Sequence, residues 1–350
     1  MIDRFYKMLS NDIGIDLGTA NTLVYLSGKG IIINEPSVVA VNQKTGRIVA
    51  VGKEAKQMVG RTPAHITAIR PLVDGVISDF EVTEEMLGYF IRKAALHTSN
   101  KFIRPRLLVG VPSGITNVER RAVRDAGINA GARDVLVIEE PMSAAIGIHL
   151  PVKDPVGNMI IDIGGGTTDI AVISLGGIVQ AKNLRVAGDK FNEDIISYVR
   201  DEFKILLGEK TAEDVKIAIG SACEQEIGME AAIRGRDLVT GLPREVAITD
   251  KDVREALSSS LTILVSSVKE VLELTPPEIV SDIMHRGIVM VGGGSMIHGL
   301  QGVLEKEIGI PVYIADDPLT AVVRGTGIVL EDMDNYREVL IDNEDELPPR

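Results

Sequence analysis

One loop of unusual composition occurs twice in the chain. Ile13-Gly14-Ile15-Asp16-Leu17-Gly18-Thr19 is echoed by Met159-Ile160-Ile161-Asp162-Ile163-Gly164-Gly165-Gly166-Thr167-Thr168. In each copy a short apolar run reaches an aspartate and turns through glycines and hydroxyls. A second apolar run follows, residues 22–26 or 170–174, and ends at another glycine turn. A glycine has no Cβ, so its N–H can approach a phosphate oxygen closely, and successive N–H groups form an anion-binding nest. An aspartate repels phosphate but suits Mg²⁺ or its water shell. One copy alone would also read as an ordinary β-hairpin. Two copies in register, with a third glycine loop at Gly292-Gly293-Gly294-Ser295, predict two facing turns that grip one polyphosphate from both sides.

The 350 residues suffice for two domains, and 45% apolar residues can fill a large core. Cys223 is the single cysteine, which excludes an internal disulfide framework and fits a reducing cytosol. No apolar stretch reaches the roughly 18 residues of a membrane-spanning helix, and no signal peptide is visible, so the expected location is cytoplasmic. A net charge of -13 argues against non-specific nucleic-acid binding. Much of it lies in residues 331–350, where eight acids face Arg337 and Arg350, and the end of this stretch reads as a solvated tail. The five histidines are scattered without metal-site spacing, and no Gly-x-x-x-x-Gly-Lys-Ser/Thr loop occurs.

Along the chain, residues 31–41, 47–51, 106–111, 135–138 and 287–291 read as strands. Helices are expected over 84–96, 190–207, 212–222, 252–274 and 296–308. Another should run from Thr116, with Glu119 forming a capping box, to about Ala130. Strands alternating with helices across a duplicated frame imply an α/β fold of two halves with a cleft between them, where ligands meet the strand ends.

Four segments then match a known pattern. Asp16-Leu17-Gly18-Thr19-Ala20-Asn21-Thr22, Glu139-Glu140-Pro141-Met142-Ser143-Ala144-Ala145-Ile146-Gly147, Asp162-Ile163-Gly164-Gly165-Gly166-Thr167-Thr168 and Val291-Gly292-Gly293-Gly294-Ser295 resemble the signature of the actin, DnaK and sugar-kinase ATPase fold. Between them, Arg70-Pro71, Asp74-Gly75-Val76-Ile77, Val111-Pro112-Ser113-Gly114-Ile115-Thr116 and Thr275-Pro276-Pro277-Glu278 resemble the MreB family of bacterial actin homologues. The likeness runs from about residue 12 to 330. It implies a U-shaped actin-like protein of two duplicated α/β domains, each with a smaller inserted subdomain. Domain I would span 12–149 (insert about 34–74) and domain II 150–330 (insert about 186–247). Residues 317–336 would return to domain I, and 337–350 would form an acidic tail.

The resemblance also implies roles. ATP or ADP with Mg²⁺ would fill the cleft. Asp16 would orient the Mg²⁺ waters, while Gly18, Thr19, Ala20 and Asn21 cradle the phosphates and Asp162 with Gly164, Gly165 and Gly166 closes the second side. Glu140 would position or deprotonate the attacking water, and Thr167 would help to hold it. Gly292, Gly293, Gly294 and Ser295 would lie against the adenosine, and Glu213 and Lys216 would contact ribose and adenine. From the residues alone, Glu213 and Lys216 equally suit a surface ion pair. One position departs from the family pattern: Asp169 stands where Glu is expected.

Residues 1–9 place Ile2, Phe5, Tyr6 and Leu9 on one helical stripe, with Arg4 and Lys7 outside it. That pattern suits a short interfacial helix on anionic lipid, or a helix packed on the body. Phe102 and Ile103, between Lys101 and Arg104, stand where the family carries a hydrophobic membrane loop. The family further implies paired head-to-tail protofilaments on the inner face of the cell membrane, slow ATP hydrolysis, and cell-wall elongation partners such as MreC, MreD and RodZ. The alternative is a DnaK-like or sugar-kinase-like ATPase of the same fold that does not polymerise.

Overall fold

A computed structural model describes residues 12–98 and 104–341. The expected duplication is visible strand by strand. In the first half, Ile13–Leu17, Asn21–Leu26 and Gly30–Pro36 form an antiparallel meander, and Arg106–Val111 and Asp134–Glu139 extend it in parallel on the other side. In the second half, Asn158–Ile163, Thr168–Ser174 and Gly177–Leu184 make the same meander, extended in parallel by Ile288–Val291 and Val312–Ile314. Asp16 and Asp162 lie near the ends of the two leading strands, which is where open α/β sheets bind ligands. A small three-stranded sheet is attached to each half. One joins Val39–Asn42 to Ile48–Val51 and Ile66–Ile69, and the other joins Ile205–Leu206, Glu230–Asp237 and Pro243–Thr249.

Two helices lie between the large sheets, Glu140–Gly147 and Ala321–Glu331. They pack almost backbone to backbone. A Cβ on Gly147 would strike the Ala321 carbonyl, and one on Gly325 would strike the Ser143 carbonyl. The Ser143 hydroxyl donates to the Val322 carbonyl at 2.9 Å. Ala321–Glu331 also covers the first sheet, where Gly14 makes room for Thr326 and Gly327 for the Tyr25 ring. Met142, Ile146, Val322 and Val329 fill a core shared with Leu108, Ile138, Ile160 and Ala171 from the two sheets.

The capping box forms as expected: Thr116 Oγ1 accepts from the Glu119 N–H, and Glu119 accepts from the Thr116 N–H at 2.7 Å. Several other elements differ from expectation. The strand over 31–41 breaks at Ser37, because Ser37 is drawn to the first glycine loop. Its N–H donates to the Ala20 carbonyl and its hydroxyl to the Gly18 carbonyl at 2.6 Å. The helix over 190–207 instead runs Gly188–Tyr198, widens to a π-turn over Val199–Phe203 and stops at Lys204 with φ 57°. That left-handed residue frees Ile205 to pair with Asp237 in the small sheet. Gly299, at φ 73°, likewise shortens the helix over 296–308 to Leu300–Ile308. The expected tail is packed at its start: Val339 is buried and the Ile341 N–H donates to the Val137 carbonyl at 3.0 Å. The hairpin of Glu230–Asp237 and Pro243–Thr249 and the helix Pro277–Arg286 were not anticipated.

The close crossing of the two central helices predicts a sharp contrast. Gly325→Val forces them apart and should cost about 3 kcal/mol of stability. Gly302→Ala, in a helix with open space around it, should gain roughly 0.5–1 kcal/mol. Thermal and urea melts of the two variants measure both.

Candidate functional site

The two glycine loops meet across a cleft of about 520 Å³ between the halves. A Cβ on Gly165 would lie 2.6 Å from Ala20 Cβ, and one on Gly166 would lie 2.7 Å from Thr19 Oγ1. Only glycine permits this approach. Each loop is also held from outside. Ser37 fixes Gly18 and Ala20 as above, and Thr19 Oγ1 accepts from the Gly75 N–H at 3.1 Å. The Gly164 and Gly165 carbonyls accept the N–H groups of Gly188 and Asp189, which open the helix Gly188–Tyr198. That helix therefore points its positive end at the second loop.

Four carboxylates stand together in this cleft: Asp16, Glu140, Asp162 and Asp169. Glu140 begins its helix, with Pro141 in the first turn. Asp162 and Asp169 are opposite each other in the hairpin register. Burial pushes Asp16 up to about 7 and Asp169 up to about 6. Glu140 and Asp162 rise well above the usual carboxylate range, first through burial and then through the other carboxylates. Such a group is short of positive charge, which a divalent cation would supply. Among the described residues no three side chains converge closely enough to hold a bare ion. The residues therefore fit a cation carried on water and phosphate oxygens, as Mg²⁺ prefers.

The third loop closes the far side. Gly292 has φ 79°, and a Cβ there would run into the Asp162 carboxylate and the Ile163 carbonyl. Gly292, Gly293 and Gly294 line the cleft with Met296, Ile297 and His298. Ser295 does not line it: its hydroxyl is buried and donates to the Gly292 carbonyl at 2.7 Å, bracing the loop. Glu213 and Lys216 both face the cleft from the helix Glu209–Ile219. Lys216 donates to the Gly188 carbonyl at 2.7 Å, and burial lowers its pKa. Glu213 pairs instead with Lys56 from the opposite half at 3.2 Å.

Among the described residues, Lys56–Glu213 is one of three ion pairs across the mouth. Arg70–Glu209 at 2.5 Å and Arg185–Asp74 at 3.5 Å are the others. All three are partly exposed, so each is weak by itself. They were missed in the sequence, since partners more than a hundred residues apart leave no local signal. In the sequence Asp169 is a departure from the family pattern; in the structure it bridges the halves. Its Oδ1 accepts from the Ser113 N–H at 2.8 Å and its Oδ2 from Asn183 at 2.9 Å. Ile2, Phe5, Tyr6, Leu9, Phe102 and Ile103 lie outside the described residues.

Two duplicated α/β halves, joined through two central helices and flanking a carboxylate-lined cleft with paired glycine loops, define the actin-like fold. Solved structures agree: MreB5 of Spiroplasma citri bound to ADP superposes with a TM-score of 0.89 at 40% identity, covering 94% of this chain and 98% of that one. A double helical MamK filament structure, at 23% identity and TM-score 0.78, shares the fold. The MreB/Mbl protein family model matches residues 10–338. The cell shape-determining protein MreB of Escherichia coli K12 is 52% identical over 342 residues, covering 96% of this chain and 98% of its own length. The cell shape-determining protein Mbl of Bacillus subtilis 168 is 50% identical over 327 residues, covering 93% and 98%. The chain belongs to the MreB/Mbl family.

The raised Asp16 carboxyl predicts a pH signature. A folded pKa above the unfolded one means that ionising Asp16 opposes folding. The penalty is nearly absent at pH 4, grows as pH climbs through 7, and is constant above. Asp16→Asn should therefore melt like the parent at pH 4 in the absence of Mg²⁺ and nucleotide. By pH 8 it should be more stable by on the order of 4 kcal/mol. Paired melts at the two pH values decide it.

Proposed function

We propose that the protein is a Mg²⁺-dependent ATPase that polymerises into paired filaments on the inner face of the cell membrane and directs cell-wall elongation and cell shape. The observation that carries the enzymatic part is the contact of the two glycine loops over the four carboxylates. The relative MreB5 was crystallised with ADP and with AMPPNP, and the curated relatives are named cell shape-determining proteins.

In this reading the N–H groups of Gly18, Thr19, Ala20 and Asn21 hold the terminal phosphates from one side, and those of Gly164, Gly165 and Gly166 from the other. Asp16 and Asp162 would hold the water shell of Mg²⁺, and the ion would supply charge neutralisation for the carboxylates and the phosphates. Glu140 takes the proton of the attacking water, and the Thr167 hydroxyl orients that water. Glu140 is most basic while the cleft lacks a cation, and it must be ionised to act. Cation binding and catalytic competence are thereby linked. Gly292, Gly293 and Gly294 flank the adenosine; Glu213 and Lys216 reach the ribose and base. Ser295 acts only by bracing its loop.

Membrane attachment has a geometric support. Residues 1–11 lead into the strand that begins at Ile13, and residues 99–103 lead into Arg106–Val111, its parallel neighbour, with Ile13 opposite Leu107. The Asp12 carboxylate accepts from the Arg106 N–H at 3.2 Å. The chain thus leaves both candidate anchors to enter the same end of the same sheet, and two weak contacts linked in this way would reinforce each other. Among the described residues no helix is long and apolar enough to cross a membrane. Exposed Val239 and Leu242 between the strands of the second small sheet suit a contact with a neighbouring subunit. MreC, MreD and RodZ are the partners that family membership suggests.

Glu140→Ala should slow phosphate release by on the order of 100-fold while ATP affinity stays within a few-fold; near-normal turnover would remove Glu140 from the mechanism. Sedimentation with Mg-ATP and anionic liposomes, read by negative-stain microscopy, tests assembly. Paired filaments on lipid are expected, with lipid recruitment reduced by deleting residues 1–9. A monomer that binds ATP but never pellets would favour the non-polymerising DnaK-like or sugar-kinase-like reading.

A further inference from the structure

We propose that Asp169 is a positioning residue for Glu140, acting through the turn Pro112-Ser113-Gly114 that it ties across the back of the cleft. This rests on the role given to Glu140 above.

Asp169 is 1% exposed, on the strand Thr168–Ser174 of the second half. Its two oxygens are used differently. Oδ2 is held by Asn183 from the neighbouring strand of its own sheet, which fixes the carboxylate's rotation. Oδ1 reaches across the cleft to the Ser113 N–H of the first half. Ser113 stands two residues past the end of the strand Arg106–Val111, whose last residue is paired with Glu139, so the turn lies beside the strand end that delivers Glu140. The next N–H of the turn, that of Gly114, faces the Glu139 carboxylate. Pro112 packs over Gly75, where a Cβ would lie 2.5 Å from its ring and 3.2 Å from Thr167. The turn is therefore clasped by Asp169 from one half and by Glu139 from the other.

Such a tie has a catalytic consequence. Glu140 is attached to the first half, while Asp162 and Thr167 are attached to the second. Their relative placement depends on how the halves register at the cleft floor, and the mouth ion pairs are too exposed to set it. Asp169–Ser113 is a buried, charge-assisted bond at that depth. A general base displaced by about 1 Å loses on the order of 100-fold in rate. The charges facing Asp169 are those of Asp162 opposite it in the hairpin, Glu139 and Glu140. All are acidic, which leaves the Ser113 N–H and the Asn183 amide as its stabilising partners.

The test is single-turnover phosphate release by the full chain with Mg-ATP, for Asp169→Ala and Asp169→Asn, each alone and combined with Glu140→Ala. Asp169→Ala removes the tie and should slow release at least tenfold with ATP affinity within threefold. Asp169→Asn keeps an oxygen for the Ser113 N–H and should stay within threefold. In the Glu140→Ala background Asp169→Ala should add no further loss, because it acts through Glu140. Amide exchange at Ser113 should quicken in Asp169→Ala and not in Asp169→Asn, while the amides of the strand Asn158–Ile163 stay protected in both, which separates loss of the tie from loss of folding. Equal losses in Asn and Ala would assign the effect to charge and overturn the tie. Additive losses, or unchanged Ser113 exchange, would overturn it too. If Glu140→Ala turns over normally, the catalytic assignment itself has failed; if it is slow and Asp169→Ala is normal, only the tie has.

Discussion

Four like-charged groups gathered in one cleft, two of them buried and two half-buried, are what the rest of this molecule is organised around. Asp16, Glu140, Asp162 and Asp169 come from four separate elements, two from each half, and among the described residues the charges that act on Glu140 and Asp162 are all acidic. Burial makes each harder to ionise, and proximity makes it harder still. The arrangement is tolerable only if something positive is admitted. In the proposed function the paired glycine loops would admit a ligand that brings its own cation, a polyphosphate. Substrate selection and electrostatic relief would then be one event.

The fold joins the halves at one place. Both present strand ends to the cleft, and behind it Glu140–Gly147 crosses Ala321–Glu331, where glycines at 147 and 325 bring the backbones together. A contact this close cannot slide without collision. Glu140 sits at the first turn of one of these helices, so the group assigned to the chemistry stands at the join. Lys56–Glu213 and Arg70–Glu209 tie the halves a second time, across the mouth.

The duplicated loops, the strands beside them and the residues of the cleft floor were legible in the sequence because each is local: an aspartate, a glycine run and an apolar strand follow one another within ten residues. What was not legible is what depends on distance. Ser37 breaks a strand that its composition favours because it must brace Gly18, nineteen positions away. Lys204 ends a helix whose apolar spacing continues, because Ile205 is wanted by the small sheet. Asp169 could be seen to be unusual, but its meaning lies in Ser113, fifty-six residues earlier. Ser295, grouped with the adenosine loop by its neighbours, faces inward because the loop's own carbonyl at Gly292 needs a donor.

The seat of Ala321–Glu331 carries a further implication, for synthesis. This helix packs against Gly14 and the Tyr25 ring, some three hundred residues earlier, and supplies part of the wall that covers the first sheet. A chain emerging from the ribosome therefore makes its opening hairpin long before the helix that covers it exists. The first half must wait with an apolar flank open, while the second half, whose strands and core helices arrive together, can close first. Order of translation and order of completion are reversed, and the nascent hairpin is the segment most in need of shielding in the interval.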